Sequence, residues 1–278
     1  MSPPVPAAPR PAPGLSDDEL LRHSRHLLLD EIGIEGQARI SAAHVLVIGA
    51  GGLGSPVALY LGSAGIGRLS LVDDDTVDLT NLQRQIAHTD ARIGQPKVDS
   101  ARAAVLALDP ARQVHTYAQR ADAAFLAEHV PTAQVVVDCS DNFATRQAVN
   151  AACVAAGVPL VVGAAISFDA QLMVVDPRPA AAGGPTQRTA CYACVFPPEA
   201  PPPEVRCATM GVFAPLVGVI GSLQALEALK LVAGVGRSLA GRLLMLEARR
   251  LQFTEIGTAP RADCPVCGQP HARPHAHA

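Results

Sequence analysis

The sequence has no tryptophan, and Phe, Trp and Tyr together make up only 3% of its 278 residues. A stacking platform for single-stranded nucleic acid is not expected from such a chain, and its core must be filled by aliphatic residues and alanine. Charge is sparse too: Asp, Glu, Lys and Arg make up 17% of the residues, and the formal net charge is −3. That balance offers no general attraction to nucleic acid or an anionic membrane, so any basic residue that matters acts locally. The opening residues, MSPPVPAAPRPAPG, lack the apolar run of a secretory signal.

Two long uncharged stretches, 147–168 and 208–226, are broken by Asn150, Gly157 and Pro159, and by Pro215 and Gly218. They are read as core elements rather than membrane spans. The seven cysteines are an odd number, and four fall in two C-x-x-C pairs. That favours metal binding and thiol chemistry over a disulfide framework, and places the chain in the cytoplasm.

Hydrophobic residues make up 49% of the chain, enough for a sizeable core. Residues 1–14 and 268–278 read as disordered tails, with one domain over 15–267. Ser16-Asp-Asp-Glu19 has the form of a capping box. The helix it opens is expected to run to about Asp30, with Leu20, Leu21, Leu27 and Leu28 on one face. His44-Val-Leu-Val-Ile48 reads as a strand, 55–64 as a helix and 69–72 as a strand closing on three aspartates. Pro96 opens another helix. Val135-Val-Val137 and Leu160-Val-Val162 are strands on either side of a helix ending near Ala156.

This alternation predicts an α/β fold, a Rossmann-like, doubly wound, mostly parallel sheet. Residues 168–176 and 242–256 alternate as antiparallel strands would, so the sheet should continue in mixed sense. The Pro-rich segment 177–205 reads as a long functional or disordered loop.

Gly49-x-Gly51-Gly52-x-Gly54 lies between a strand and a helix. Glycines there let the backbone approach phosphates, and the helix start presents unpaired N–H groups to them. Asp73 ends the next strand, where an acid can hold ribose hydroxyls. Asn81, Arg84 and Lys97 follow. Hydride transfer needs no such cations, whereas displacement at a triphosphate does, because charge grows on the leaving pyrophosphate. Asp141, after a separate strand, is placed to hold a magnesium ion bridging those phosphates.

These segments resemble the MoeB/ThiF/HesA family of ubiquitin-activating-enzyme-like adenylyltransferases, closest to its molybdopterin-synthase branch. Arg22-His-Ser-Arg25-His26, Asn81-Leu-Gln-Arg84-Gln85, Gly94-Gln-Pro-Lys97, Asp138-Cys-Ser-Asp141-Asn142 and the run from Pro215 to Gln224 all match. The resemblance implies that ATP adenylates the C-terminal glycine of a small ubiquitin-like sulfur carrier ending in Gly-Gly, releasing pyrophosphate. It implies nucleotide contacts from Gly49, Gly51, Gly52, Gly54, Asp73, Asp75, Asn81, Arg84, Gln85, Lys97, Asp141 and Asn142.

It further implies a homodimer in which Arg25 reaches the other subunit's ATP. In the family motif, Tyr and Gln stand where this chain has His23 and His26. Cys207 matches a loop cysteine able to form an acyl or persulfide adduct. A rhodanese-type domain is not expected in this sequence, so sulfur is expected from Cys207 or from a separate donor protein. The alternatives are a thiamine-branch enzyme using Cys207, or a nucleotide-binding scaffold without turnover.

Cys191-Tyr-Ala-Cys194 and Cys264-Pro-Val-Cys267 complete the motifs. Four thiolates suit a closed tetrahedral zinc site. The rival is a redox pair, which normally accompanies a thioredoxin-like pattern not seen here. Cys139 and Cys153 lie in apolar contexts and read as packing residues.

Overall fold

A computed structural model describes residues 15–178, 189–200 and 210–268. The chain opens with α1 (Asp17–Arg22), α2 (Ser24–Leu27) and α3 (Gly33–Ala42), then enters β1 (His44–Ile48). Next come α4 (Gly54–Ser63), β2 (Arg68–Val72), α5 (Lys97–Leu108), β3 (Gln113–Tyr117), α6 (Ala123–His129) and β4 (Val135–Asp138). The second half holds α7 (Phe143–Ala156), β5 (Leu160–Ile166), β6 (Asp169–Val175), α8 (Tyr192–Val195) and α9 (Ala214–Ala233). The hairpin β7 (Arg242–Glu247) and β8 (Gln252–Gly257) ends it.

The strands form one eight-stranded sheet in the order β3-β2-β1-β4-β5-β6-β7-β8. The first five are parallel, and β6, β7 and β8 continue the sheet antiparallel. Strand order reverses between β1 and β4, so the crevice beyond their carboxyl ends is the place where such sheets bind ligands.

Both faces of the central strands are covered, which is why they read as unbroken aliphatic runs. One face packs Val45, Val47, Val135 and Val137 against α4, α5 and α9. The other packs Leu46, Ile48 and Val136 beneath α6, α7 and α8. Each fully buried Val or Leu contributes about 1.5–3 kcal/mol, so the fold does not depend on large aromatic rings. Several rings instead gather locally, as Tyr117 with Phe125 and His129, and Tyr192 with Phe143 and Phe196.

The stretch 208–226 falls partly on α9. Among the described residues, α9 is the one helix long and apolar enough to cross a membrane, and half of its most apolar window is buried. Its buried Gln224 and Glu227 have hydrogen-bond partners, and it packs on α4 and β5. The stretch 147–168 is the end of α7 followed by β5, as expected.

Two local expectations need correction. The Ser16 capping box is present, but the helix breaks at His23, and Leu21 and Leu28 are exposed. The buried residue is His23, whose ring lies against Gly65, where a Cβ would sit 2.7 Å from it. Gly65 has φ +92°, a backbone conformation that also favours glycine. The Pro-rich stretch is not wholly irregular either, because it contains α8. The tails 1–14 and 269–278 lie outside the described residues.

Candidate functional site: a nucleotide crevice and a four-cysteine cluster

The crevice is built from the ends of three strands. Strand β1 ends in the Gly49–Gly54 loop, which turns directly into α4. Gly49 has φ +93°, and a Cβ there would lie 2.8 Å from the Cys139 carbonyl oxygen. Only glycine permits that approach of β1 to the end of β4. Gly51 lies beside the Gln85 side chain and Gly52 beside Val217 of α9. The glycines therefore bring Gln85 and the start of α9 to the same loop.

Asp73, at the end of β2, is already engaged by backbone. Its carboxylate accepts from the Ala50 N–H at 2.7 Å and the Asp75 N–H at 2.8 Å. Burial raises its pKa, against the pull of the Ala50 N–H and of Lys97. A carboxylate has about four acceptor positions, so this anchoring leaves capacity for a further hydroxyl.

Asp75 holds Lys97 at 2.6 Å, and the Lys97 backbone N–H donates to the Asp75 carbonyl. Lys97 is buried at the start of α5, with Pro96 in the cap position rather than first in the helix. Asp74 pairs with Arg120. Asn81 lies in a 3-10 turn, and Arg84 donates to the Thr80 carbonyl. Arg84 also lines a cavity of about 320 Å³ with Pro56, Ile86, Pro215 and Gly218. Gln85 is buried, and its Oε1 has no hydrogen-bond partner among the described residues.

Across the crevice, β4 ends at Asp138, which is fully buried and has its pKa raised by that burial. Its Oδ1 accepts from the Ser140 N–H. Asp141 is exposed beyond it. The Asn142 side chain caps α7 by accepting from the Thr145 N–H. Gln224 of α9 donates to the Asp138 carbonyl at 2.7 Å, fixing the end of β4.

Asp138, Gln224 and the buried His88 are site-supporting residues to which the sequence had assigned no role. A polar residue within an apolar run was the available signal for Gln224.

Arg25 is exposed on α2 and has no hydrogen bond or ion pair among the described residues. Its neighbour His26 bonds Gln37, which donates to the Ala64 carbonyl at the far end of α4. That end is roughly 15 Å from the glycine loop by helix rise. The structure therefore does not bring Arg25 to its own crevice. Cys207 lies outside the described residues.

Cys191, Cys194, Cys264 and Cys267 converge, with their sulfur atoms all within 4.8 Å of one another. Measured pairs are 3.8 Å for Cys191–Cys194, 3.6 Å for Cys191–Cys264 and 3.3 Å for Cys194–Cys267. Four sulfurs at about 2.3 Å from a tetrahedral ion are nearly that far apart, so the set fits a metal of zinc's size. Burial opposes ionisation of Cys264, but the N–H groups of Cys267 and Val266 and the facing thiols draw it down to about 7. Cys139 and Cys153 are buried, and burial raises both thiols, as suits packing residues.

The ThiF family profile matches residues 23–266. The chain is 44% identical over 260 residues to the sulfur carrier protein ThiS adenylyltransferase of Escherichia coli, covering 94% of this chain and all of that one. It is equally 44% identical to the molybdopterin-synthase adenylyltransferase of Escherichia coli, over 92% of this chain and 99% of that one. The pig adenylyltransferase and sulfurtransferase MOCS3 is 47% identical over 95% of this chain, which spans 57% of that longer protein. Among solved structures, Escherichia coli MccB with ATP superposes with a TM-score of 0.74 at 24% identity, covering 89% of this chain and 74% of that one, a likeness of fold. The chain belongs to the ThiF family.

Proposed function

We propose that this protein uses ATP to adenylate the C-terminal glycine of a small ubiquitin-like sulfur-carrier protein, of the molybdopterin-synthase small-subunit type. The observation that carries this reading is the crevice itself, with the glycine loop, Lys97 and Arg84 on one side and Asp141 on the other. In the step, a carrier carboxylate oxygen attacks the α-phosphorus. The bond from that phosphorus to the bridging oxygen breaks, and pyrophosphate leaves with the electron pair.

The enzyme needs no nucleophile of its own for this, because the attacking group belongs to the partner. Positioning and charge stabilisation are its contribution. The loop N–H groups of Gly51 and Gly52 face the phosphates, Lys97 and Arg84 take up charge on the departing pyrophosphate, and Asp73 and Asn81 orient the nucleoside end. Lys97 is held ready by Asp75. Magnesium would be held by Asp141, and when bound it neutralises phosphate charge. Zinc would be held by the four cysteines, and there it cross-links α8 to the segment after β8.

In a homodimer, Arg25 would serve the partner's crevice. Its distance from its own crevice and its lack of any partner among the described residues support that reading. We place the reaction in the cytoplasm, with a separate protein as sulfur donor. The test is ATP–pyrophosphate exchange, expected only when a carrier ending in Gly-Gly is added.

The equal likeness to the ThiS adenylyltransferase favours one second reading, the thiamine-branch carrier. Exchange assayed with each carrier separates the two. Cys207→Ala should leave adenylation intact in either case and abolish sulfur transfer only if Cys207 carries sulfur.

A further inference from the structure

His88 lies between the Asn81 turn and α5, is buried, and was given no role by its sequence context. Its Nε2 is 2.9 Å from the Ala50 carbonyl oxygen, and its Nδ1 is 2.9 Å from the Ser100 Oγ of α5. Ala50 is the second residue of the glycine loop, and its N–H is the one given to Asp73. The loop is thus gripped on both sides of a single residue, by Asp73 at the N–H and by His88 at the carbonyl.

We propose that His88 is a positioning residue that aims the nucleotide-binding loop, and this rests on the adenylation reading above. A carbonyl accepts and cannot donate, so the imidazole must carry its proton on Nε2, leaving Nδ1 to accept from the Ser100 hydroxyl. The peptide joining Ala50 to Gly51 is planar and trans, so its C=O and N–H point in opposite directions. Binding the carbonyl on the buried side turns the Gly51 N–H toward the crevice. The Gly51 and Gly52 N–H groups have no hydrogen-bond partner among the described residues, as groups awaiting a phosphate would. The same helix, α5, supplies Ser100 to His88 and Lys97 to Asp75, so loop and cation are set by one rigid element.

Two amide substitutions separate aiming from mere packing, because a glutamine Nε2 reproduces the imidazole Nε2 donor and an asparagine reproduces only the Nδ1 position. ATP binding to the full chain is measured by calorimetry for wild type, His88→Gln and His88→Asn, with Tm recorded for each. His88→Gln is expected to keep the ATP Kd within about threefold, and His88→Asn to weaken it about tenfold, the value of one hydrogen bond. The two variants are expected to have similar Tm values. Equal ATP binding by wild type and His88→Asn overturns the proposal, as does equal weakening of both variants in step with falling Tm. If wild type itself binds no ATP, the adenylation reading falls and takes this inference with it.

Discussion

Lys97 Nζ lies 2.6 Å from Asp75 Oδ2, with the lysine side chain 8% exposed and the aspartate side chain 67% exposed. The ammonium is therefore held at the crevice wall by a carboxylate that solvent and ligands can still reach. Lys97→Ala is expected to slow ATP–pyrophosphate exchange by about 10²–10³-fold, as loss of one charge-stabilising group does. Lys97→Arg should not restore it, because a planar fork cannot replace a point charge in this narrow space. Exchange rates at saturating ATP check both.

The cysteine cluster should hold one zinc per chain, measured by elemental analysis. Cys264→Ser removes one of the four converging thiols. That variant is expected to lose zinc and to lower Tm by about 10 °C or more, since structural zinc binding is folding free energy. A chelator should lower the wild-type Tm in the same direction.

Stability should fall as pH drops below about 6.5, the usual histidine value. Burial lowers the pKa of His23, His44 and His88. Nearby charges reinforce this, including Arg112 at His23, Arg68 at His44 and Lys97 at His88. In that window the unfolded chain binds protons that the folded chain refuses, so unfolding free energy decreases with falling pH. Asp73 and Asp138 act with the opposite sign, because their pKa values are raised by burial. Their offset appears as pH falls through those raised values toward the normal carboxylate range. Urea titrations from pH 7.5 to 5 should show a falling midpoint.

If Arg25 acts on the partner's crevice, two inactive variants should complement each other. Arg25→Ala and Arg84→Ala are each expected to abolish carrier adenylation. Mixed and allowed to exchange subunits, they form heterodimers with one crevice intact in both respects. Random pairing then restores about one quarter of wild-type activity. No recovery would show that Arg25 serves its own subunit.

The parts legible in the sequence were those whose signal is local. Strands β1, β2, β4 and β5 are aliphatic runs; β1 leads directly into Gly49, β2 into Asp73, and β4 ends in Asp138. Strand β3 is less legible, because it lies at the sheet edge and Val114 is its one buried residue. The break at His23 was hidden because it depends on the space beside Gly65, which is distant in sequence. Residue type and spacing pointed to Gly49, Asp73, Lys97 and the cysteines. His88 was not legible, and Gln224 showed only as a polar residue in an apolar run, since each acts by reaching a backbone carbonyl far along the chain.

Intact-mass analysis of a Gly-Gly-ended carrier, incubated with this protein, ATP and magnesium, tests the central claim most directly. The account predicts a carrier species heavier by one AMP less water, formed with wild type and formed far more slowly with Lys97→Ala. An unmodified carrier, for both the molybdopterin-synthase and the thiamine-branch type and with ATP binding intact, would contradict it.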